Sequence, residues 1–352
     1  MLELCLRPRV TIPSFETFVE THRPYSIAID GYVEDESRWQ LKTADHEGPY
    51  LNLDHHAKVN RSSTRSTCAQ AHYHMKLRIL ERLGFLKENF LQGTVFANHC
   101  DEDVCKTWWL LSHPEWFETR RTPPLLVDAL HLEDALDTTC GAYPFDIYSN
   151  RLKRMFWIYQ AYNEAKVAGI LPRMDAAGMR KIVNEVGRRI DEYVAGRAEM
   201  IEPDTRYECL DQGDGWIMIK EVGAQARSYL FREEGKQLII TALRINGNFE
   251  YRVIKQVPYV DLNSAGLARR LNQMEGSLIT PTNKWGQSDL FVVSPRETGS
   301  SLPPDILKEE VFKFVGPLFW ETIHLPKGSP EPTDRELGDW DYYTRLDAGS
   351  RH

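Results

Sequence analysis

Thr94-Val95-Phe96-Ala97-Asn98-His99-Cys100-Asp101-Glu102-Asp103 is the stretch on which the reading of this chain turns. It opens as an apolar strand and runs into the helix-like pattern Val104 to Leu111, with His99, Asp101 and Asp103 at the junction. Their period of two matches a strand, so a strand continued through them sets an imidazole and two carboxylates on one face. Such groups repel unless a cation lies between them, and hard divalent ions favour carboxylate oxygens with an occasional nitrogen. A second apolar stretch, Pro49 to Leu53, ends in Asp54-His55-His56, and a third, Tyr25 to Ile29, ends in Asp30 before Gly31. Two acid–imidazole clusters in one domain predict a two-metal hydrolase.

Between these clusters, Cys68 to Leu83 carries apolar residues at helical spacing. Strand–helix alternation of this kind predicts an α/β fold with a mainly parallel sheet, whose sites gather at the carboxyl ends of the strands. Helical patterns follow at 125–136, 148–169 and 175–194, the last with Ile182, Val186, Ile190 and Val194 on one side. From Arg206 the texture turns to β-type runs, Trp216 to Lys220, Gln237 to Ala242 and Asn248 to Ile254, separated by glycine turns. Helical patterns near 264–274 and 305–314 and a strand at 290–294 complete a second α/β unit. The expected layout is a metal-binding catalytic domain over 1–147, a helical linker over 148–200, a smaller substrate-binding α/β domain over 201–325 and a polar tail over 326–352. The active site is expected in the cleft between the two domains.

Composition bounds the function. The 352 residues suffice for two cores, and no apolar run approaches the roughly 20 residues that span a bilayer. The six cysteines are scattered without a Cys-x-x-Cys pair, which argues against a structural zinc site and a disulfide framework. With no signal-peptide pattern at the N-terminus, a reducing cytoplasm is the expected location. A net charge of −8 disfavours long duplex nucleic acid but leaves room for a small anionic substrate held by local arginines.

The candidate residues have plain alternatives. Neighbouring strand residues face opposite ways, so of His55 and His56 one suits metal ligation and the other charge stabilisation at a phosphoryl oxygen. Arg61 and Arg65, in Asn60-Arg61-Ser62-Ser63-Thr64-Arg65-Ser66-Thr67, open a helix and with its hydroxyls form an anion cradle, or else an ordinary cap with solvated arginines. In the second unit, Lys284, Trp285, Ser294 and Arg296 lie in glycine-rich, basic segments that suit a nucleotide, with Trp285 placed to stack on a base; a charged turn explains them nearly as well. Arg252, among apolar strand neighbours, is either an anion contact or a satisfied edge residue. His72 and His74 are two apart on a helix and make no ligand pair. Trp108, Trp109 and Trp116 read as packing, and Cys100 and Cys105 as small buried side chains.

Asp54-His55-His56 with His99-x-Asp101-x-Asp103 resembles the DHH phosphoesterase superfamily, which includes exonucleases, nanoRNases and manganese-dependent inorganic pyrophosphatases. Ile29-Asp30-Gly31 through His56, and His99-Cys100-Asp101-Glu102, are most similar to its melanocyte-proliferating-gene group of exonucleases. Leu130 to Asp137 resembles the family's fourth acidic motif. The order of the elements is permuted relative to the family's usual one. The resemblance implies that His99 and Asp101 bind one metal ion and Asp103 another, with Asp30 bridging. It assigns His55 with Asp134 or Asp137 to the second ion, and Asp54 and His56 to catalysis. Two manganese ions are the implied cofactors, with magnesium or cobalt as substitutes. The expected activity is hydrolysis of phosphodiesters in nucleotides or short oligonucleotides, and a homodimer is compatible with it. A pyrophosphatase-like phosphoanhydride hydrolase and a non-catalytic nucleotide sensor are the competing readings.

Overall fold

The computed structural model describes residues 2–41, 48–87, 90–118, 122–142, 145–245, 247–256, 260–280, 283–316 and 319. The polar tail over 326–352 lies outside the described residues. The chain is mixed α/β with two main sheets. In the first, strands β1 (Leu2–Leu6), β2 (Ser26–Ile29), β3 (Arg38–Gln40) and β4 (Tyr50–Leu53) precede a short hairpin, β5 (Leu86–Lys87) with β6 (Phe90–Leu91), and then β7 (Gly93–Ala97). The order across the sheet is β1-β7-β2-β4-β3. The first four of these are parallel and β3 is an antiparallel edge. Every residue of β2 and β4 is buried, as expected of parallel strands covered on both faces. The register aligns Ile29 with Leu53 and Ala28 with Phe96, so Asp30, Asp54 and Asn98 leave the sheet side by side.

One face packs Ile27, Ile29, Leu51, Leu53 and Val95 against helices that include Thr67–Lys76, Glu102–Ser112 and Pro124–Thr138. The helices Asn150–Ile158 and Ala176–Val194 belong to the same core, through Met155, Ile158, Ile182, Val183, Val186 and Ile190. Trp109 fixes the contact further, its Nε1 donating to Asp191 Oδ1 at 2.8 Å. The apolar stripe of the 148–200 region, expected as a helical linker, is thus buried in the same core as the first sheet. The opposite face is aromatic: Phe15 and Phe18, from helix Phe15–Thr21, meet Tyr32, Tyr50 and Phe96.

The second sheet comprises β8 (Tyr207–Gly213), β9 (Trp216–Glu221), β10 (Leu238–Ile245), β11 (Asn248–Lys255), β12 (Gly286–Gln287) and β13 (Phe291–Val293), in the order β12-β13-β11-β10-β9-β8. Only β9 and β10 pair in parallel. Helices Ser264–Glu275 and Pro304–Lys313 cover one face. Ala226–Arg232 covers the other, where Ala142 of the preceding half joins Ile217, Ile219 and Phe231. The two halves are therefore in direct contact. No described helix is long and apolar enough to cross a membrane.

Candidate metal centre

Three parallel strands deliver the site. Asp30 follows β2 with φ 51°, and Gly31 after it has φ 74°, so two successive left-handed residues turn the chain away from the sheet. The amide of Gly31 donates to Asp54 Oδ1 at 2.9 Å, and that of Ala57 to Asp54 Oδ2 at 3.2 Å. Asp54 Oδ1 also lies 2.9 Å from His56 Nδ1. Fully buried and occupied in this way, Asp54 orders the loop and the His56 ring. His55 is buried and His56 about one-third exposed.

The strand does not continue through His99, Asp101 and Asp103. β7 ends at Ala97, Asp101 is the N-cap of helix Glu102–Ser112 with Oδ1 accepting from Val104 N at 3.0 Å, and Asp103 lies in that helix's first turn. Capping and macrodipole favour a carboxylate there over an extended backbone. Asp103 turns inward, and its two oxygens accept the amides of Thr67 and Cys68 at 2.6 and 2.7 Å, closing the N-terminus of helix Thr67–Lys76. His99 and Asp101 share one candidate donor set with Asp30, whereas Asp103 falls in another, with His55 and Asp137.

Three overlapping donor sets result: Asp30, His99 and Asp101; His55, Asp103 and Asp137; and Asp30, His55 and His56, each with its ligand atoms within 4.8 Å of one another. His55 Nε2 lies 2.8 Å from Asp137 Oδ2, 3.5 Å from Asp30 Oδ1 and 3.8 Å from Asp103 Oδ2. His99 Nδ1 is 3.0 Å from Asp101 Oδ2, and its Nε2 is 3.9 Å from Asp30 Oδ2. The contact of His55 with Asp137 lacks hydrogen-bond geometry, and His55 Nε2, Asp30 Oδ2 and Asp137 Oδ2 are buried without hydrogen-bond partners. Buried acid and imidazole groups this close, without geometric hydrogen bonds, suit a shared cation in place of a proton. These buried acid–imidazole clusters can hold a metal ion.

The electrostatics point the same way. Burial would raise Asp30, but the imidazoles of His56, His55 and His99 hold it well below the usual carboxylate range. Burial would lower His55, yet Asp137 and then Asp30 push it well above its ordinary value. His99, opposed by burial, is raised to about 9 by Asp101 and Asp30. Asp103 is pushed well up, first by burial and then by Asp137 and Asp30. The carboxylates draw protons onto both imidazoles; charge balance calls for positive charge, which a divalent cation supplies in concentrated form.

Of the two candidate acids on helix Pro124–Thr138, Asp134 and Asp137, it is Asp137 that reaches this centre. Asp134 instead accepts from Ser66 N at 2.8 Å and from Arg65 Nη1 at 2.5 Å, and is absent from the three donor sets. Arg61 is buried, its Nη2 donating to Asp137 O at 2.9 Å and Oδ1 at 3.2 Å beneath the ring of Phe291. The anion cradle expected beside it is in part taken by the other half of the chain, since Ser62 N and Oγ donate to Asp289 Oδ2 at 3.3 and 3.0 Å. Arg65 remains largely exposed.

In the second half the expectations divide. Trp285 is 2 % exposed, stacks on Tyr251 and turns its Nε1 to Glu275, so it belongs to the core and offers no face to a base. Ser294 is buried with its Oγ accepting from Tyr251 N, a structural bond. Lys284 is exposed. Arg296 is exposed and near enough for its charge to act on His99. Arg252 lines a cleft that also takes in Asp101 and Asp137. Two residues were missed: Thr67, whose Oγ1 donates to Asp30 Oδ1 at 3.2 Å, and Lys166 of helix Gln160–Val167, in the same cleft as Arg252. Only the position of Thr67 after a cap residue hinted at its role; Lys166 sits in an ordinary helical pattern.

No family model, curated protein or solved structure matches the chain.

Proposed function

We propose that the chain is a divalent-metal-dependent phosphoesterase of the DHH type, with its catalytic centre at the carboxyl ends of β2, β4 and β7. The observation that carries this reading is the sharing of Asp30 and His55 among three donor sets with inward-facing, unpartnered lone pairs. In this proposal Asp30, His99 and Asp101 would hold one ion, and His55, Asp103 and Asp137 would hold a second. The mixed oxygen and nitrogen donors favour manganese. A pair of such ions supplies an activated water and neutralises charge on the phosphoryl oxygens.

The chain's own groups do the rest. Asp54 fixes the His56 ring through Nδ1, leaving Nε2 to face a phosphoryl oxygen. Arg61 holds Asp137 in place, and Thr67 braces Asp30. The substrate class is a nucleotide or short oligonucleotide. Burial of Trp285 removes the stacking contact that set this class apart from pyrophosphate, so both belong in the test. The protein stripped with EDTA should be inactive on bis(p-nitrophenyl) phosphate, pyrophosphate and short RNA. Mn²⁺ should restore one of these activities and raise the melting temperature, by about 2.7 kcal/mol of linkage at a hundredfold excess over Kd. Turnover that persists in EDTA, or no measurable Mn²⁺ binding, overturns the proposal.

A further inference from the structure

Beside the metal centre lies a cleft of about 240 Å³ that joins the two halves of the chain. Asp101 and Asp137 line it from the first half, Tyr162 and Lys166 from the helices packed on that half, and Arg227 and Arg252 from the second. The cations are not equally answered. Arg227 donates to Glu221 at 2.6 Å and Arg252 to Glu250 at 3.1 Å, each through one of its five donors. Glu102, the other carboxylate near Lys166, accepts from Asn163 at 3.1 Å. The Lys166 ammonium makes no hydrogen bond or ion pair among the described residues. Its pKa is lowered to about 8, first by burial and then by the guanidinium of Arg227, with Arg252 adding to this and the carboxylates of Glu221 and Glu102 opposing it.

An unanswered ammonium flanked by two guanidinium groups with spare donors, in a cleft open to solvent, suits a phosphate monoester. That group is nearly dianionic at neutral pH and accepts several charge-assisted bonds at once. We propose that Lys166, Arg227 and Arg252 form a second phosphate subsite, so that the preferred substrate carries another phosphoryl group besides the one at the metal centre. This rests on the phosphoesterase reading, and it adds to that reading the charge of the substrate and the helix that recognises it.

The test is a binding ratio, read by calorimetry on the full chain in EDTA and again in Ca²⁺, with 5′-phosphorylated diadenylate and diadenylate as probes. The wild type should bind the phosphorylated probe about ten- to a hundredfold more tightly. Lys166→Met should bring that ratio close to one, and Lys166→Arg should keep most of it. A wild-type ratio near one, a ratio unmoved by Lys166→Met, or no binding of the phosphorylated probe overturns the subsite. Hydrolysis assays with Mn²⁺ separate the two ideas. A ratio that holds without any hydrolysis sinks the phosphoesterase reading alone, and hydrolysis with a ratio of one sinks the subsite alone.

Discussion

Replacing Arg61 with methionine separates two roles that a basic residue beside the proposed metal centre can play. The guanidinium is buried, its side chain 5 % exposed, and Nη2 donates to both the main-chain oxygen and a carboxylate oxygen of Asp137. Removing one partner of a buried pair costs about 3–5 kcal/mol, because the other charge is left behind. Here Asp137 keeps His55 2.8 Å away and part of its own surface, which places Arg61→Met at the lower end, about 3 kcal/mol. That is a large share of the roughly 5–15 kcal/mol that holds a protein folded. With a urea slope of about 3 kcal/mol/M, the midpoint should fall by about 1 M, followed through tryptophan fluorescence. Saturating Mn²⁺ should recover part of the loss, since an ion answers the Asp137 charge that Arg61 leaves. A phosphate contact predicts the opposite pattern, a raised KM with the midpoint in place. A midpoint shift under about 0.3 M together with a raised KM would refute the strut and restore the contact.

Asp101→Ala removes a helix cap as well as a candidate ligand, so it should cost about 1 kcal/mol by thermal melting and lose Mn²⁺-dependent turnover; Asp101→Asn should lose turnover and keep most of the stability. His72 is lowered to about 4, by burial first and then by the charges of Lys76 and His131. Its folded value lies below its unfolded value of 6.5, so its contribution is intact above pH 6.5 and disappears as the pH falls toward 4. Discounted for a half-exposed ring, the loss is on the order of 1 kcal/mol, and a pH series of urea midpoints on His72→Gln should be flatter than wild type over that window.

The three central strands β2, β4 and β7 are legible because they are apolar runs that stop at Asp30, Asp54 and Asn98, and parallel strands put those stops at one edge. The error over His99, Asp101 and Asp103 has a definite cause. A period of two fits an extended strand, but it equally fits a loop histidine, a cap and a first-turn acid, and the capping bond from Val104 decides between them. The choice between Asp134 and Asp137 was out of reach because residues three apart share a helix face. Trp285 misled because its sequence neighbours are polar and glycine-rich, whereas its burial comes from Tyr251, Asn272 and Glu275, all at least ten residues away. Lys166 acquires its meaning only from arginines more than sixty residues further on.

The left-handed turn at Asp30 narrows what this position can become. Besides glycine, aspartate and asparagine are the residues that tolerate such a conformation best, so backbone and ligand chemistry select from almost the same short set. Asparagine alone keeps both the shape of the turn and the volume of the side chain while discarding the charge. If the proposed activity holds, a lineage drifting from it toward mere binding would find Asp30→Asn the easiest exit, and an asparagine here would mark the loss of that activity with the fold kept.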